Sequence, residues 1–390
     1  MKLKCLPEDF VVEEIAAVEP TGGPFALYRL EKRSLGTPEA LQAIRRRWRL
    51  PQHAVCHGGL KDRHALTRQY VTIYRGPRRD LRQTNLTLTY LGQTERPFRS
   101  ADIVSNAFEI VLRALTERQA KDVLNTVDVL ATEGVPNYFD DQRFGSVGVG
   151  GDFIAKAWCR KDYERALWLA LAEPNVHDRA REKRQKQILR ECWGDWGECK
   201  RRLERSNRRS VVTFLADHPR DFRRALALLP KDLRSLYVAA FQSALWNRLL
   251  AAWLRQLCKP EQLVPVSFKL GRHPFPTRLD EGQRERLFTA RLPLPSRRLR
   301  DVDPQLRPLL ETVLAEEGLS LADLRIPYPR DTFFSKGMRR AAVRPEALSA
   351  AEDADELYPG RRRITLKFRL PRGAYATIVI KRLTEVGRRP

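Results

Sequence analysis

"RRITLKFRLPRGAYATIVIKRL", residues 362–383, returns strand character to the far end of the chain. Ile364, Leu366, Phe368 and Leu370 alternate with Thr365, Lys367 and Arg369, the period of two that gives a strand one buried face. The same texture fills the first third of the sequence. "DFVVEEI" (9–15), "FALYRLEK" (25–32), "YVTIY" (70–74), "NLTLTYL" (85–91) and "NAFEIVLR" (106–113) are rich in β-branched and aromatic residues. In the fourth of these, Leu86, Leu88 and Tyr90 alternate with threonines. The pattern predicts an α+β fold in which both chain ends, 1–133 and 345–390, build one β-rich domain around an insertion, 134–344.

Helices punctuate this plan. Thr37-Pro38-Glu39 predicts a helix start with Thr37 as N-cap, and Leu41, Ile44 and Trp48 share its apolar face. Thr116 and Gln119 form a capping-box pattern ahead of Ala120, Val123, Val127 and Leu130, and Gly134 and Pro136 stop that helix. The middle of the chain differs. "HDRAREKRQKQILR" (177–190) and "CKRRLERSNRR" (199–209) are basic and helix-compatible, and 234–256 reads as a long amphipathic helix. Residues 291–308, rich in Pro and Arg, read as loop. The acidic, alanine-rich 345–358 reads as a linker or a short helix.

The chain has 390 residues, enough for two or three domains and a core that needs neither disulfides nor metal. Seventy-two Lys and Arg against 48 Asp and Glu give a net charge of +24 in a chain that is 42% hydrophobic. That combination predicts a folded protein that meets polyanions, although charge alone does not separate RNA, DNA and an anionic membrane. The six cysteines form no CxxC pair, and Cys192 and Cys199 read as reduced structural thiols. "MKLKCLPEDF" has no signal-peptide core and no run of 18 apolar residues occurs, so a soluble, cytoplasmic protein is expected. There is no P-loop, GxGxxG or HExxH, and His53 and His57 have no third ligand nearby. Neither a metal nor a cofactor is expected.

Asp62 is the sharpest chemical candidate. In "CHGGLKDRHALTRQYVTIY" (56–74) it stands among Lys61, Arg63, His64 and Arg68, a setting that favours the ionised carboxylate. Such a group can act as a nucleophile or base on a substrate carrying phosphates. The alternative is that Asp62 caps a short helix through "RHALTRQ". Gly58 and Gly59 leave the backbone before it permissive. Asn106 and Phe108 share a strand face with Ile110 and Leu112, and Lys4 and Phe10 bracket "LKCLPEDF". "GVPNYFDDQRFG" (134–145) sets Arg143 among Tyr138, Phe139 and Phe144, which reads either as an RNA-stacking surface or as a turn with core aromatics.

Six segments in order, "LPEDFVVEE" (6–14), "GLKDRHALTRQ" (59–69), "SNAFEIVLR" (105–113), "GVPNYFDDQRFG" (134–145), "FQSALWNRLL" (241–250) and "LPRGAYATIVIKRL" (370–383), resemble the TruD family of tRNA pseudouridine synthases. The resemblance implies a pseudouridine synthase core, a mixed and largely antiparallel sheet with flanking helices, carrying an inserted helix-rich α/β TRUD domain. It implies that Asp62 is catalytic, with Lys4 as its basic partner, Asn106 positioning it, Phe108 near the target base and Phe10 walling the site. Lys61, Arg63, Arg68 and Arg143 are the candidate RNA contacts, with the basic stretch 179–209 as a further RNA-facing surface. The implied reaction isomerises uridine to pseudouridine in tRNA, at position 13 in the D arm, by a monomer without metal or cofactor. A non-catalytic RNA-binding or chaperone protein on the same scaffold is the alternative. Two departures from the family pattern stand out: Ser105 replaces a glycine, and Asp140 and Asp141 replace small residues.

Overall fold

Strands from the two ends of the chain lie side by side in one nine-stranded sheet. In the computed structural model, which describes residues 1–300 and 302–386, the first part of the chain supplies seven of them. These are β1 (Phe10–Ala16), β2 (Phe25–Arg33), β3 (Val55–His57), β4 (Leu66–Tyr74), β5 (Leu81–Gln83), β6 (Leu86–Thr94) and β7 (Ile103–Leu115). The other two are Glu346–Ala354 and Arg362–Pro371. From one edge the order is Glu346–Ala354, Arg362–Pro371, β7, β1, β4, β2, β6, β5, with β3 paired to β4. Only β1 and β4 run parallel, which makes the sheet mixed and largely antiparallel.

Alternation decides the inward face. Ala26, Tyr28 and Leu30 of β2, Val71 and Ile73 of β4 and Leu86 and Leu88 of the β6 region bury against α1 (Thr37–Trp48), which contributes Ala40, Leu41 and Ile44. Ile364, Leu366, Phe368 and Leu370 are likewise buried. The capping box at α2 (Glu117–Glu133) forms as its spacing demands: Gln119 N–H donates to Thr116 Oγ1 at 3.2 Å and Thr116 N–H to Gln119 Oε1 at 3.0 Å.

Three local expectations fail for physical reasons. Gly36, not Thr37, is the N-cap of α1; the Thr37 hydroxyl instead donates to Gln69 Oε1 and accepts Lys61 N–H, both at 2.9 Å. No helix follows Asp62, because "LTRQ" already belongs to β4. Residues 346–354 form an edge strand rather than a linker or helix. Alanine and glutamate favour a helix by only a few tenths of a kcal/mol per residue. Here the ladder with Arg362–Pro371, continuous over Ser349–Ala354 and bulged between Glu346 and Ser349, outweighs that preference, helped by ion pairs from Glu352 to Arg362 at 2.5 Å and from Asp353 to Arg363 at 3.6 Å.

The chain divides into two compact units, Met1–Val135 with Val343–Pro390, and Pro136–Ala342. The second is helix-rich, with short two-stranded sheets. Five of its helices begin where Asp162, Asp195, Ser206, Asp221 and Asp280 accept the N–H three residues ahead. The long helix Lys231–Leu257 is buried far more completely than an amphipathic helix, and it includes buried Gln242, Ser243 and Asn247. The basic segment 199–209 breaks because Ser206 caps a new helix, Asn207–Asp217. Cys192 and Cys199, expected as free thiols, form a disulfide: the reversal at Gly194 (φ +97°) ends one helix beside the next and sets their Cα atoms 5.6 Å apart. Among the described residues no helix is long and apolar enough to cross a membrane.

One buried cation ties the first unit together. On β7, Arg113 Nε donates to Asp9 Oδ1 at 2.8 Å and Nη1 to Asp355 Oδ1 at 3.1 Å, while Nη2 lies 2.9 Å from Glu356 Oε1. Its backbone exchanges hydrogen bonds with Lys2 in both directions. Burial pushes the Asp355 carboxyl up, but the N–H groups of Ala114 and Leu357, with Arg113, more than offset this and hold it below its ordinary value. The Arg113 hydrogen bond likewise holds Glu356 low. Groups lowered in the folded state stabilise above their unfolded pKa and lose that contribution as pH falls through the folded one. Arg113→Ala leaves two buried carboxylates without their cation, and a loss of about 3–5 kcal/mol is expected in denaturant titration. The variant's stability should also fall less steeply than wild type below about pH 4.

Candidate active site

Register gathers the site on one face of the sheet. β7 pairs with β1 so that Val12 faces Phe108 and Glu14 faces Asn106, and it pairs with Arg362–Pro371 so that Phe108 also faces Phe368. The Phe108 and Phe368 rings stack with centroids 5.4 Å apart, and Phe10 meets Phe108 edge-on at 6.4 Å. Phe10 and Phe368 are buried, whereas Phe108 is half-buried and keeps part of its ring accessible.

Asp62 stands in the loop between β3 and β4, and its partner comes from 58 residues away. Lys4 Nζ donates to Asp62 Oδ2 at 2.7 Å. With side chains 21% and 28% accessible, both groups can be reached from solvent. The same ammonium lies 4.0 Å from the centroid of the Phe10 ring, so a cation, an anion and an aromatic face converge. Lys4 holds φ at +56°, a left-handed backbone that costs a non-glycine residue on the order of 1 kcal/mol and is retained only where the surroundings impose it.

The Asp62 loop hangs on buried polar side chains. Lys32 Nζ donates to the Asp62 carbonyl at 2.8 Å and approaches the Lys61 carbonyl at 3.4 Å. Thr37 receives Lys61 N–H, and Gln69 Nε2 donates to the Gly59 carbonyl at 3.2 Å. Lys61 itself turns inward: Nζ donates to Asn106 Oδ1 at 2.5 Å and lies 3.0 Å from Glu14 Oε1, while Glu14 Oε2 accepts Tyr70 N–H at 2.9 Å. Gly58 is needed for packing rather than for ligand approach, because a Cβ there would lie 2.7 Å from Ile103 Cδ1 and 2.8 Å from Phe98 Cε1.

The structure thus brings Lys4, Phe10, Asp62, Lys61, Asn106 and Phe108 together. It engages the basic neighbours differently from the charge-setting argument. Arg63 pairs with Glu39 at 3.2 Å, and Arg68 with Glu31 at 2.7 Å and Glu13 at 3.8 Å. Arg143 belongs to the second unit, where Nε donates to Ser243 Oγ at 3.1 Å. Around it Tyr138, Phe139 and Phe144 are buried, so the segment is a turn with core aromatics and not a stacking surface. The departure at Asp141 is structural too, its carboxylate accepting Lys269 N–H at 2.8 Å.

Sequence reasoning missed Glu14, Lys32, Thr37, Gln69 and Phe368. For two of these a signal existed. Lys32 continues the inward face of Ala26, Tyr28 and Leu30, and Glu14 that of Phe10 and Val12. A charge at an inward register needs a buried partner. Among the described residues no three His, Cys, Asp or Glu side chains gather as a metal site.

The family model for tRNA pseudouridine synthase D (TruD) matches residues 1–383. This chain belongs to the TruD family. It is an RNA pseudouridine synthase, an isomerase by class. A relative in Methanococcus maripaludis named "Probable tRNA pseudouridine synthase D 1" is 30% identical over 395 residues, 99% of this chain and 100% of that one. The tRNA pseudouridine synthase D of Aquifex aeolicus is 28% identical, covering 98% of both chains. A crystal structure described as that of a TruD, from Methanosarcina mazei, superposes with a TM-score of 0.71 at 25% identity, over 98% of this chain and 93% of that one.

Burial pushes the Lys32 ammonium down to about 8, with Asp62 and Glu39 opposing and Lys61 adding to the shift. Between about pH 8 and its ordinary value of about 10.4 the unfolded chain therefore binds the proton that the folded chain has released, and Lys32 contributes stability that rises with pH. Lys32→Met removes this contribution. The stability difference, wild type minus variant, should shift towards wild type across that interval in paired denaturant titrations. A pH-independent difference would contradict the assignment.

Proposed function

We propose that this chain converts uridine to pseudouridine in tRNA with Asp62 as the catalytic carboxylate. The observation that carries this is the partly accessible Lys4–Asp62 ion pair at 2.7 Å beside the Phe10, Phe108 and Phe368 rings. The target base leaves its stack at a cost of a few kcal/mol and stacks on the open part of Phe108. The N1–C1′ bond then breaks. Asp62 either attacks C1′ to form an ester, whose C1′–O bond breaks when C5 displaces the carboxylate, or removes the C2′ proton to leave a glycal and returns that proton to C2′ as C5 bonds to C1′. The uracil turns in place, C5 bonds to C1′, C5 loses its proton and N1 gains one. Atoms balance in either route without an added oxidant, reductant, metal or cofactor. Lys4 holds the carboxylate as its paired anion, and Lys32, Thr37 and Lys61, the last held by Glu14 and Asn106, fix the loop that presents it.

In this reading residues 1–133 and 345–390 are the catalytic core and 134–344 the inserted TRUD domain. The protein works as a monomer in the cytoplasm, and its target is the uridine at position 13 in the D arm, as the family resemblance implies. A non-catalytic RNA chaperone needs a basic surface but no carboxylate held against a lysine over an aromatic face.

Asp62→Asn keeps the size of the side chain and removes its negative charge. On tRNA transcripts lacking pseudouridine it should lower single-turnover product formation about a thousandfold or more, with tRNA affinity within a few-fold of wild type. Equal rates would remove Asp62 from the chemistry. Sequencing that maps pseudouridine in the product locates the target, and a site outside the D arm would correct that part of the reading. For the wild type, tRNA affinity should fall with salt along a log–log slope of several units, since binding a chain of phosphates releases counterions. A flat response would argue against backbone binding.

A further inference from the structure

The second unit contains a basic cavity of about 790 Å³ walled by two loops, "LPSRRLR" (294–300) and "LRIPYPRDTFFSK" (324–336). Arg297, Arg298, Arg300, Arg325, Arg330 and Lys336 line it, and among the described residues no acidic one does. All six are exposed, and none is in an ion pair among the described residues. The one acid within these loops, Asp331, is held outside the lining by Arg234, with Nη1–Oδ1 at 2.7 Å. This contrasts with the basic stretch 179–209, where Arg181, Lys186, Arg201, Arg202 and Arg208 each pair with an acid.

The cavity is also built. From the long helix, Gln242 Nε2 donates to the Pro295 carbonyl at 2.9 Å and to the Ser335 carbonyl at 2.8 Å, clamping one loop to the other. Alternation in the second loop buries Leu324, Ile326, Thr332 and Phe334 and turns Arg325 and Phe333 outward. Phe333 is 53% exposed, and the Arg298 guanidinium lies 5.3 Å from its centroid. A large exposed aromatic capped by an arginine, inside a ring of unpaired cations, is the arrangement that holds single-stranded nucleic acid through stacking and phosphate contacts.

We propose that this cavity binds a non-helical stretch of the RNA substrate, its phosphates on the arginines and one unpaired base on Phe333. The inference rests on the tRNA reading above and adds a site remote in sequence from Asp62. The test uses the full chain, an unmodified tRNA transcript and binding titrations at several salt concentrations. Arg298→Ala combined with Arg330→Ala should weaken binding at least tenfold and lower the salt slope by about one unit per arginine. Phe333→Ala should weaken it about tenfold, with Phe333→Tyr restoring most of the loss. These side chains are exposed, so melting midpoints should stay at the wild-type value. Arg201→Ala combined with Arg202→Ala removes equal charge from the 179–209 stretch and should change affinity less. Wild-type affinity and salt slope in the cavity variants would overturn the proposal. So would a larger loss in the 179–209 variant than in the arginine pair, or a cavity effect seen only with anionic lipid vesicles. A wild type that forms no pseudouridine in any tRNA, yet loses RNA affinity with these variants, would instead count against the proposed function alone.

Discussion

Arg113 is the constraint on which the first unit depends. Its guanidinium joins Asp9, just before β1, to Asp355, just after the edge strand, and its backbone holds Lys2. Removing three charges from water costs several kcal/mol each and is recovered only when every donor and acceptor finds a partner. Here Asp9 also receives Leu6 N–H, and Asp355 receives Ala114 N–H and Leu357 N–H. The N-terminal segment therefore has one place to go, and that place sets Lys4 against Asp62. Without this anchor the backbone that carries Lys4 would not be fixed, and holding a long lysine side chain against Asp62 would cost its full rotamer entropy.

The same logic repeats at the site. Glu14, Lys32 and Asn106 each continue an apolar strand face with a polar group, and each is buried. Glu14 and Asn106 share Lys61, and Lys32 takes the Asp62 carbonyl. These bonds fix the backbone on both sides of the Asp62 side chain while leaving its carboxylate open to solvent. A rigid loop with one accessible anion is the geometry that positioned catalysis requires. The aromatic face beside it owes its flatness to strand register, since Phe108 and Phe368 are direct cross-strand neighbours.

Charge is distributed less simply than its total suggests. The excess of +24 is conspicuous in the sequence at 179–209, yet several of those cations are tied to acids nearby. The cavity at 294–300 and 324–336 draws its cations from two segments that look unremarkable singly. Ion pairing across helices, which only the fold brings about, decides which cations remain for a polyanion.

The sequence alone determined the class of fold, the discontinuous sheet, the capping box at Thr116 and Gln119, and Asp62 as the residue to watch. These are local periodicities, or motifs whose order along the chain is itself information. It did not reveal that residues 346–354 form a strand, that Cys192 meets Cys199, that Thr37 turns to Lys61 and Gln69, or that Arg63 and Arg68 spend their charge on surface acids. Each of those depends on a partner distant in the chain, whose pull exceeds a local preference of a few tenths of a kcal/mol. The order of motifs already implied Lys4 as the partner of Asp62. Only tertiary structure supplies the contact, Nζ to Oδ2 at 2.7 Å, and draws the basic residues written beside Asp62 to other acids, because each of those pairings needs a group distant in the chain.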